Sequence, residues 1–91
     1  MHIHDLIVNE LFNQKSIAAL IFLIDFGREL EFKMNGKNYF ISCSGSKNYV
    51  SLWENKNEQS FDSVLELIEN AAIENMCFLT AWEQAELEYL Y

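Results

Sequence analysis

The chain has 91 residues, no proline and three glycines, and about half of its residues are apolar. That is the composition of a single globular domain with little material for a linker. A formal charge of −8 and a pI near 4.5 argue against direct contact with nucleic acid or an anionic membrane surface, since both demand an excess of Lys and Arg. The same charge keeps a small protein soluble, or presents an acidic surface to a basic partner.

In the first quarter, Ile3, Leu6, Ile7 and Leu11 keep helical spacing, and Ile17, Leu20, Ile21 and Ile24 repeat it. Ser16 is placed to cap a second helix, so the segment reads as either one long helix or two short ones. The run 17–24 is eight apolar residues long, too short to span a bilayer and without the basic region that precedes the apolar core of a signal peptide. It carries more apolar surface than one helix face holds, which suits either a central core position or a contact with a second subunit. Gly27 is expected to end it with a positive φ.

Two alternating runs then meet at Asn35-Gly36, a dipeptide suited to a two-residue type I′ turn. Pairing outward from that turn sets Met34 opposite Lys37, Phe32 opposite Tyr39 and Leu30 opposite Ile41, so turn chemistry and hydrophobic pattern agree on one register. A polar loop is expected over 44–48 and a third strand over 49–54. In that strand Val50 and Leu52 face one way, and Tyr49, Ser51 and Trp53 the other. Residues 55–59 read as a charged, amide-rich connection. A helix should begin near Asp62 or Ser63, where Ser63 and Glu66 have capping-box spacing, and should bury Val64, Leu67, Ile68 and Ala71 until Asn75 breaks it. A short helix over 77–84 would turn Phe78, Leu79 and Trp82 inward. The tail 86–91 alternates with a period of two, which fits a final edge strand, with continued helix as the other option. The expected fold class is α+β. It comprises one or two N-terminal helices, a three-stranded antiparallel sheet with an Asn-Gly hairpin, two C-terminal helices and this optional edge strand, all within one domain spanning 1–91.

No constellation of reactive residues stands above background. His2, His4 and Asp5 sit at a terminus, and residues two apart do not share a helix face, so they do not make a metal site. Glu29 and Glu31 fall side by side on the hairpin's outer face, where Arg28 and Lys33 are near enough to pair with them. Ser42, Ser44, Ser46 and Ser51 lack a nucleophile context, and Gly45 alone is not a phosphate loop. Cys43 and Cys77 lack metal or redox spacing and read as small core residues in a reduced cytoplasm. No catalytic residue and no cofactor is expected.

Aromatic residues carry the strongest functional signal. Phe40, Tyr49 and Trp53 fall on the sheet face opposite Phe32 and Tyr39, and helices covering only one face would leave them as a partner-binding patch. The leading expectation is a protein-binding or regulatory module, acting on a protein partner or by self-association as a homodimer, with neither direct nucleic-acid contact nor membrane contact. The alternative is an acidic inhibitor or DNA mimic of a basic nucleic-acid-processing protein, using Glu66, Glu69, Glu83, Glu86 and Glu88 as one array.

The stretches GRELEFKMNGKNYFIS, EQSFDSVLELIENAAI and AWEQAELEYLY resemble, in order and spacing, a group of short functionally uncharacterised proteins of Gram-positive bacteria and their phages. The likeness spans 17–91 and rests on structural residues: the turn, the helix cap, a core tryptophan and the tyrosine-rich end. It departs from the group's pattern at Asn75-Met76-Cys77, where a glycine and polar residues are more usual. The resemblance implies a cytoplasmic bacterial or phage accessory protein and brings no catalytic residue with it.

Overall fold

A computed structural model describes residues 2–44 and 49–91. The N-terminal quarter forms two helices, α1 (Ile3–Gln14) and α2 (Ile17–Asp25). The break is local: Lys15 takes the left-handed conformation at φ 50°, and the Ser16 hydroxyl accepts a hydrogen bond from the Ala19 N–H at 3.1 Å. An oxygen acceptor satisfies one of the unpaired N–H groups of the new helix, so no Gly or Pro is needed. Gly27, at φ +88°, turns the chain toward the sheet.

Four strands follow as a meander: β1 (Leu30–Met34), β2 (Lys37–Ser44), β3 (Tyr49–Glu54) and β4 (Asn57–Phe61). Asn35 and Gly36 both have positive φ, and β1 pairs with β2 in the register that the two-residue turn requires, from Met34 opposite Lys37 to Leu30 opposite Ile41. Helix α3 (Val64–Asn70) starts at Ser63, whose hydroxyl accepts from the Glu66 N–H. It is followed by a tight ribbon of β5 (Ala72–Ile73) and β6 (Met76–Cys77), then α4 (Phe78–Trp82) and β7 (Glu86–Leu90).

The α+β class stands, but the expected arrangement is corrected in three places. The sheet has five antiparallel strands in the order β4-β3-β2-β1-β7, not three. Its fourth strand is the segment read as a connection: Asn55 adopts a positive φ, as the first centre of a two-residue turn can, and the chain folds back with Glu54 opposite Asn57. The two C-terminal helices are not consecutive, because Glu74 and Asn75, both at positive φ, turn the chain into the β5–β6 ribbon between them. The final alternation also breaks. β7 pairs with β1 through Leu30 opposite Leu90 and Glu31 opposite Tyr89, then shifts so that Phe32 faces Leu87, leaving Glu88 as the extra residue of a bulge. That shift sends both Leu87 and Leu90 to the core side and Tyr89 to the other. The loop read over 44–48 begins later than expected, since Ser44 belongs to β2; Gly45, Ser46 and the rest of 45–48 lie outside the described residues.

One face of the sheet carries the core. Leu30, Phe32, Ile41 and Leu52 are buried against Leu20, Leu23, Leu67 and Phe78 from the helices. Aromatic rings run through it: Tyr39 stacks on Phe32 at 5.4 Å, Phe32 meets Trp82 edge-on at 5.8 Å, and Trp82 stacks on Phe78 at 5.6 Å. Of the residues expected inward on α4, Phe78 and Trp82 are buried, while Leu79 is exposed because a five-residue helix presents only one turn to the core. Cys43 is half-buried and packs against the core, whereas Cys77 is exposed, which corrects the core reading of the latter.

Polar links join these pieces. The Lys15 ammonium donates to the carbonyl oxygens of Trp82, Glu83 and Ala85 at 2.8–2.9 Å, and the Trp82 indole N–H donates back to the Lys15 carbonyl at 2.9 Å. The Gln59 amide exchanges two hydrogen bonds with the Ala72 backbone, fastening β4 to the ribbon. Glu74 accepts from the Asn35 amide at 2.8 Å and pairs with Lys37 at 3.4 Å, which ties the ribbon to the first hairpin and holds the Glu74 carboxyl below its ordinary value. Among the described residues no helix is long and apolar enough to cross a membrane.

Replacing Lys15 with Ala removes three charge-assisted hydrogen bonds and should cost about 2 kcal/mol of unfolding free energy, read as a lower urea midpoint at unchanged slope. Tyr39 supplies a second check. Its hydroxyl is buried without a hydrogen-bond partner, and burial, followed by the Glu54 and Glu74 charges, pushes the phenol up to about 12. The folded state keeps this proton after an ordinary tyrosine has lost its own, so stability should fall as pH rises from about 10 to about 12. Tyr39→Phe should flatten that alkaline limb and raise stability at neutral pH by up to about 1 kcal/mol.

Candidate functional site

Side chains alternate across a strand, so the residues between the core positions all point to the sheet's other face. Among the described residues, the helices pack on the core side and leave this face without a covering element. Cross-strand register sorts it into rows. One row reads Glu58, Trp53, Phe40, Glu31 and Tyr89 from β4 to β7, and its neighbour reads Ser60, Ser51 and Ser42. Two aromatic rings thus sit at the centre of the face with a carboxylate on either side.

The rings are held in place. The Trp53 indole N–H donates to the Ser42 hydroxyl at 3.0 Å, which satisfies the donor and fixes the ring plane. Phe40, directly opposite Trp53, is met edge-on by Tyr91 at 5.9 Å. The Tyr91 hydroxyl donates to Glu31 at 3.3 Å, and its backbone exchanges hydrogen bonds with Glu29 at 2.7 and 3.1 Å, extending the β7 pairing. Partial burial and the Glu31 carboxylate hold the Tyr91 phenol above its ordinary value. On the far side, Ser51 is fully buried and donates to Glu58 at 2.5 Å, while Ser60 donates to the same oxygen at 2.8 Å. These two hydroxyls hold the Glu58 carboxyl below its ordinary value, so it stays ionised.

Of the residues read as partner-binding from the sequence, Phe40 and Trp53 are brought directly opposite each other as a cross-strand pair. Tyr49 is not. It lies opposite Ser44 at the start of β3, four residues from Trp53 and therefore roughly 13 Å along the strand. The expected pairing of Glu29 and Glu31 with Arg28 and Lys33 is not formed either. Lys33 pairs with Glu88 at 3.5 Å, Arg28 reaches His4 at 2.8 Å and the Tyr91 carbonyl at 2.6 Å, and the Glu29 carboxylate approaches the Cys43 N–H at 3.4 Å. Among the described residues Glu31 has no cation beside it. Glu58 and Tyr91 are members of this face that sequence reasoning did not single out, and Glu31 was read only as one of a hydrated pair with Glu29. Strand alternation marked Glu31 as outward, but nothing local linked it to a tyrosine sixty residues on.

Between Glu31, Asn38, Phe40, Trp53 and Asn55 the face dips into a hollow of about 240 Å³. A larger hollow of about 310 Å³ opens where Asp25, Cys43, Tyr49, Asp62 and Ser63 meet. Burial, then the Glu29 charge, pushes the Cys43 thiol up, which leaves it protonated and a poor nucleophile. His4 lies 2.8 Å from Arg28 and 4.0 Å from the Asp5 carboxylate, and no group of three metal-ligating side chains occurs among the described residues.

Comparison with protein-family models, curated proteins and solved structures gives no match to this chain. The functional reading therefore rests on the geometry of the open face.

The two tryptophans separate what folds the chain from what decorates it. Trp82 is 4% exposed within the aromatic core, and Trp82→Ala should cost about 3–5 kcal/mol. Trp53→Ala should cost less, about 1.5–3 kcal/mol, because its ring is only partly buried. Urea unfolding of the two variants measures the difference.

Proposed function

We propose that this protein is a non-catalytic binding or regulatory module of the cytoplasm that engages a protein partner through the open face of its sheet. The observation that carries the reading is the Phe40–Trp53 pair, oriented by Ser42 and Tyr91 and only partly buried on that face. Oriented aromatics on a face left uncovered among the described residues supply apolar contact area at low entropic cost, the usual anchor of an interface. The half-buried Cys43 thiol elsewhere is held in its protonated form. The same face would serve self-association if the partner is a second copy.

The alternative of an acidic inhibitor or DNA mimic draws on the charge of −8. Four of its five carboxylates, however, divide between two places. Glu66 and Glu69 ride on α3, which packs against β3 and β4, whereas Glu86 and Glu88 lie in β7 at the opposite edge of the sheet. Four strand spacings, roughly 19 Å, separate those edges. This division favours the aromatic pair over a single carboxylate array as the contact surface.

Affinity capture from bacterial lysate with the wild-type protein and with Trp53→Ala, each at low and high salt, tests the proposal. One stoichiometric partner should survive high salt on the wild type and be lost from the variant. Equal capture by both would overturn the aromatic face as the contact. Sedimentation equilibrium of the same two proteins distinguishes a second copy, since a wild-type dimer would fall to monomer in Trp53→Ala.

A further inference from the structure

The proposed contact face contains a concave feature whose chemistry narrows what the partner must present. The hollow of about 240 Å³ is smaller than the ~300 Å³ at which small-molecule sites begin, so it suits one long side chain better than a cofactor. Phe40 and Trp53 line it, Glu31 lies at its rim, and the Asn38 and Asn55 amides complete it. The Trp53 donor is already spent on Ser42, which leaves the ring's π-face as what it offers. Glu31 keeps one oxygen engaged by the Tyr91 hydroxyl and the other free, with no cation beside it among the described residues. Lys33, the nearest cation along the same strand face, is taken by Glu88.

A π-face beside an uncompensated carboxylate is complementary to a planar cation. The guanidinium group stacks on aromatic rings and presents a fork of N–H donors to carboxylate and amide oxygens, where an ammonium offers only a point charge. A phosphate-bearing ligand would meet Glu31 on one side and Glu58 on the other, and be repelled.

We propose that the hollow formed by Glu31, Phe40 and Trp53 receives an arginine side chain of the partner protein. The inference rests on the reading of the open face as a contact surface, and goes beyond it by naming the partner's anchoring residue. The guanidinium lies over the Trp53 ring, donates to the free Glu31 oxygen, and reaches the Asn38 or Asn55 carbonyl with its remaining N–H groups.

The test is a titration of the ¹⁵N-labelled full chain with a capped Gly-Arg-Gly peptide, followed by NMR, alongside the citrulline peptide of the same shape without the charge. The Trp53 indole N–H should shift in a saturable way while that of Trp82, bonded to Lys15, stays still. The citrulline peptide, and the arginine peptide on Glu31→Gln, should each bind roughly tenfold more weakly. Glu31→Gln changes no buried group, so its fold is retained even if Trp53→Ala is impaired. Equal response to arginine and citrulline, or shifts confined to residues away from Trp53, would overturn the proposal. Free arginine binding as tightly as the peptide would overturn a protein source in favour of the amino acid. A partner captured through Trp53 but indifferent to Glu31→Gln and to competing arginine peptide would overturn this inference while leaving the interaction face standing. Arginine-peptide binding with no Trp53-dependent partner would do the reverse.

Discussion

The capture of the Lys15 ammonium by three carbonyl oxygens at the end of α4 is the contact on which the architecture closes. An ammonium has three N–H donors, and here each meets a carbonyl oxygen at or just beyond the end of a short helix. The partial negative charge at a helix C-terminus favours a cation there. The reciprocal bond from the Trp82 indole to the Lys15 carbonyl makes the link two-way and orients the ring that bridges Phe32 and Phe78. One residue thus ends α1, permits the turn into α2, and pins the N-terminal helices to the last turn before β7.

That closure determines which side of the sheet is spent on folding. With α2, α3 and α4 drawn over Phe32, Ile41 and Leu52, the helical material is used up on one face. β7 then joins beside β1 and carries Tyr89 and Tyr91 to the other face, where Tyr91 packs on Phe40 and bonds Glu31. The open face is therefore assembled by the last strand as much as by the first hairpin. Its polar frame also serves stability: the Ser51–Glu58–Ser60 cluster secures an edge strand that has little apolar content of its own.

Much of the candidate site was legible. The period of two in 37–43 and 49–54 places Phe40 and Trp53 outward, and their direct opposition follows once the strands pair antiparallel. Tyr49 carried the same outward signal yet sits two rows away, because facing the same side does not imply adjacency. Glu31 was read as one of a hydrated pair with nearby cations; its actual partner is a tyrosine brought by a strand sixty residues later. Such long-range pairings depend on the closed tertiary structure and leave no local trace.

By itself, the sequence determined what rests on chemistry within a few residues: the Asn35-Gly36 turn and its register, the Ser16 and Ser63 caps, the Gly27 exit, and the faces of the hairpin and of α3. These are settled by φ preference, hydrogen-bond reach and periodicity, which act locally. Tertiary structure alone decided that the amide-rich 57–61 would be a strand, that Glu74-Asn75 would turn a ribbon rather than merely end a helix, and that β7 would bulge at Glu88. None of these segments has strong intrinsic preference. Each takes its conformation from a distant partner: Ser51 and Ala72 for β4, Asn35 and Lys37 for the ribbon, and Phe32 with the core for the bulge that turns Leu87 inward.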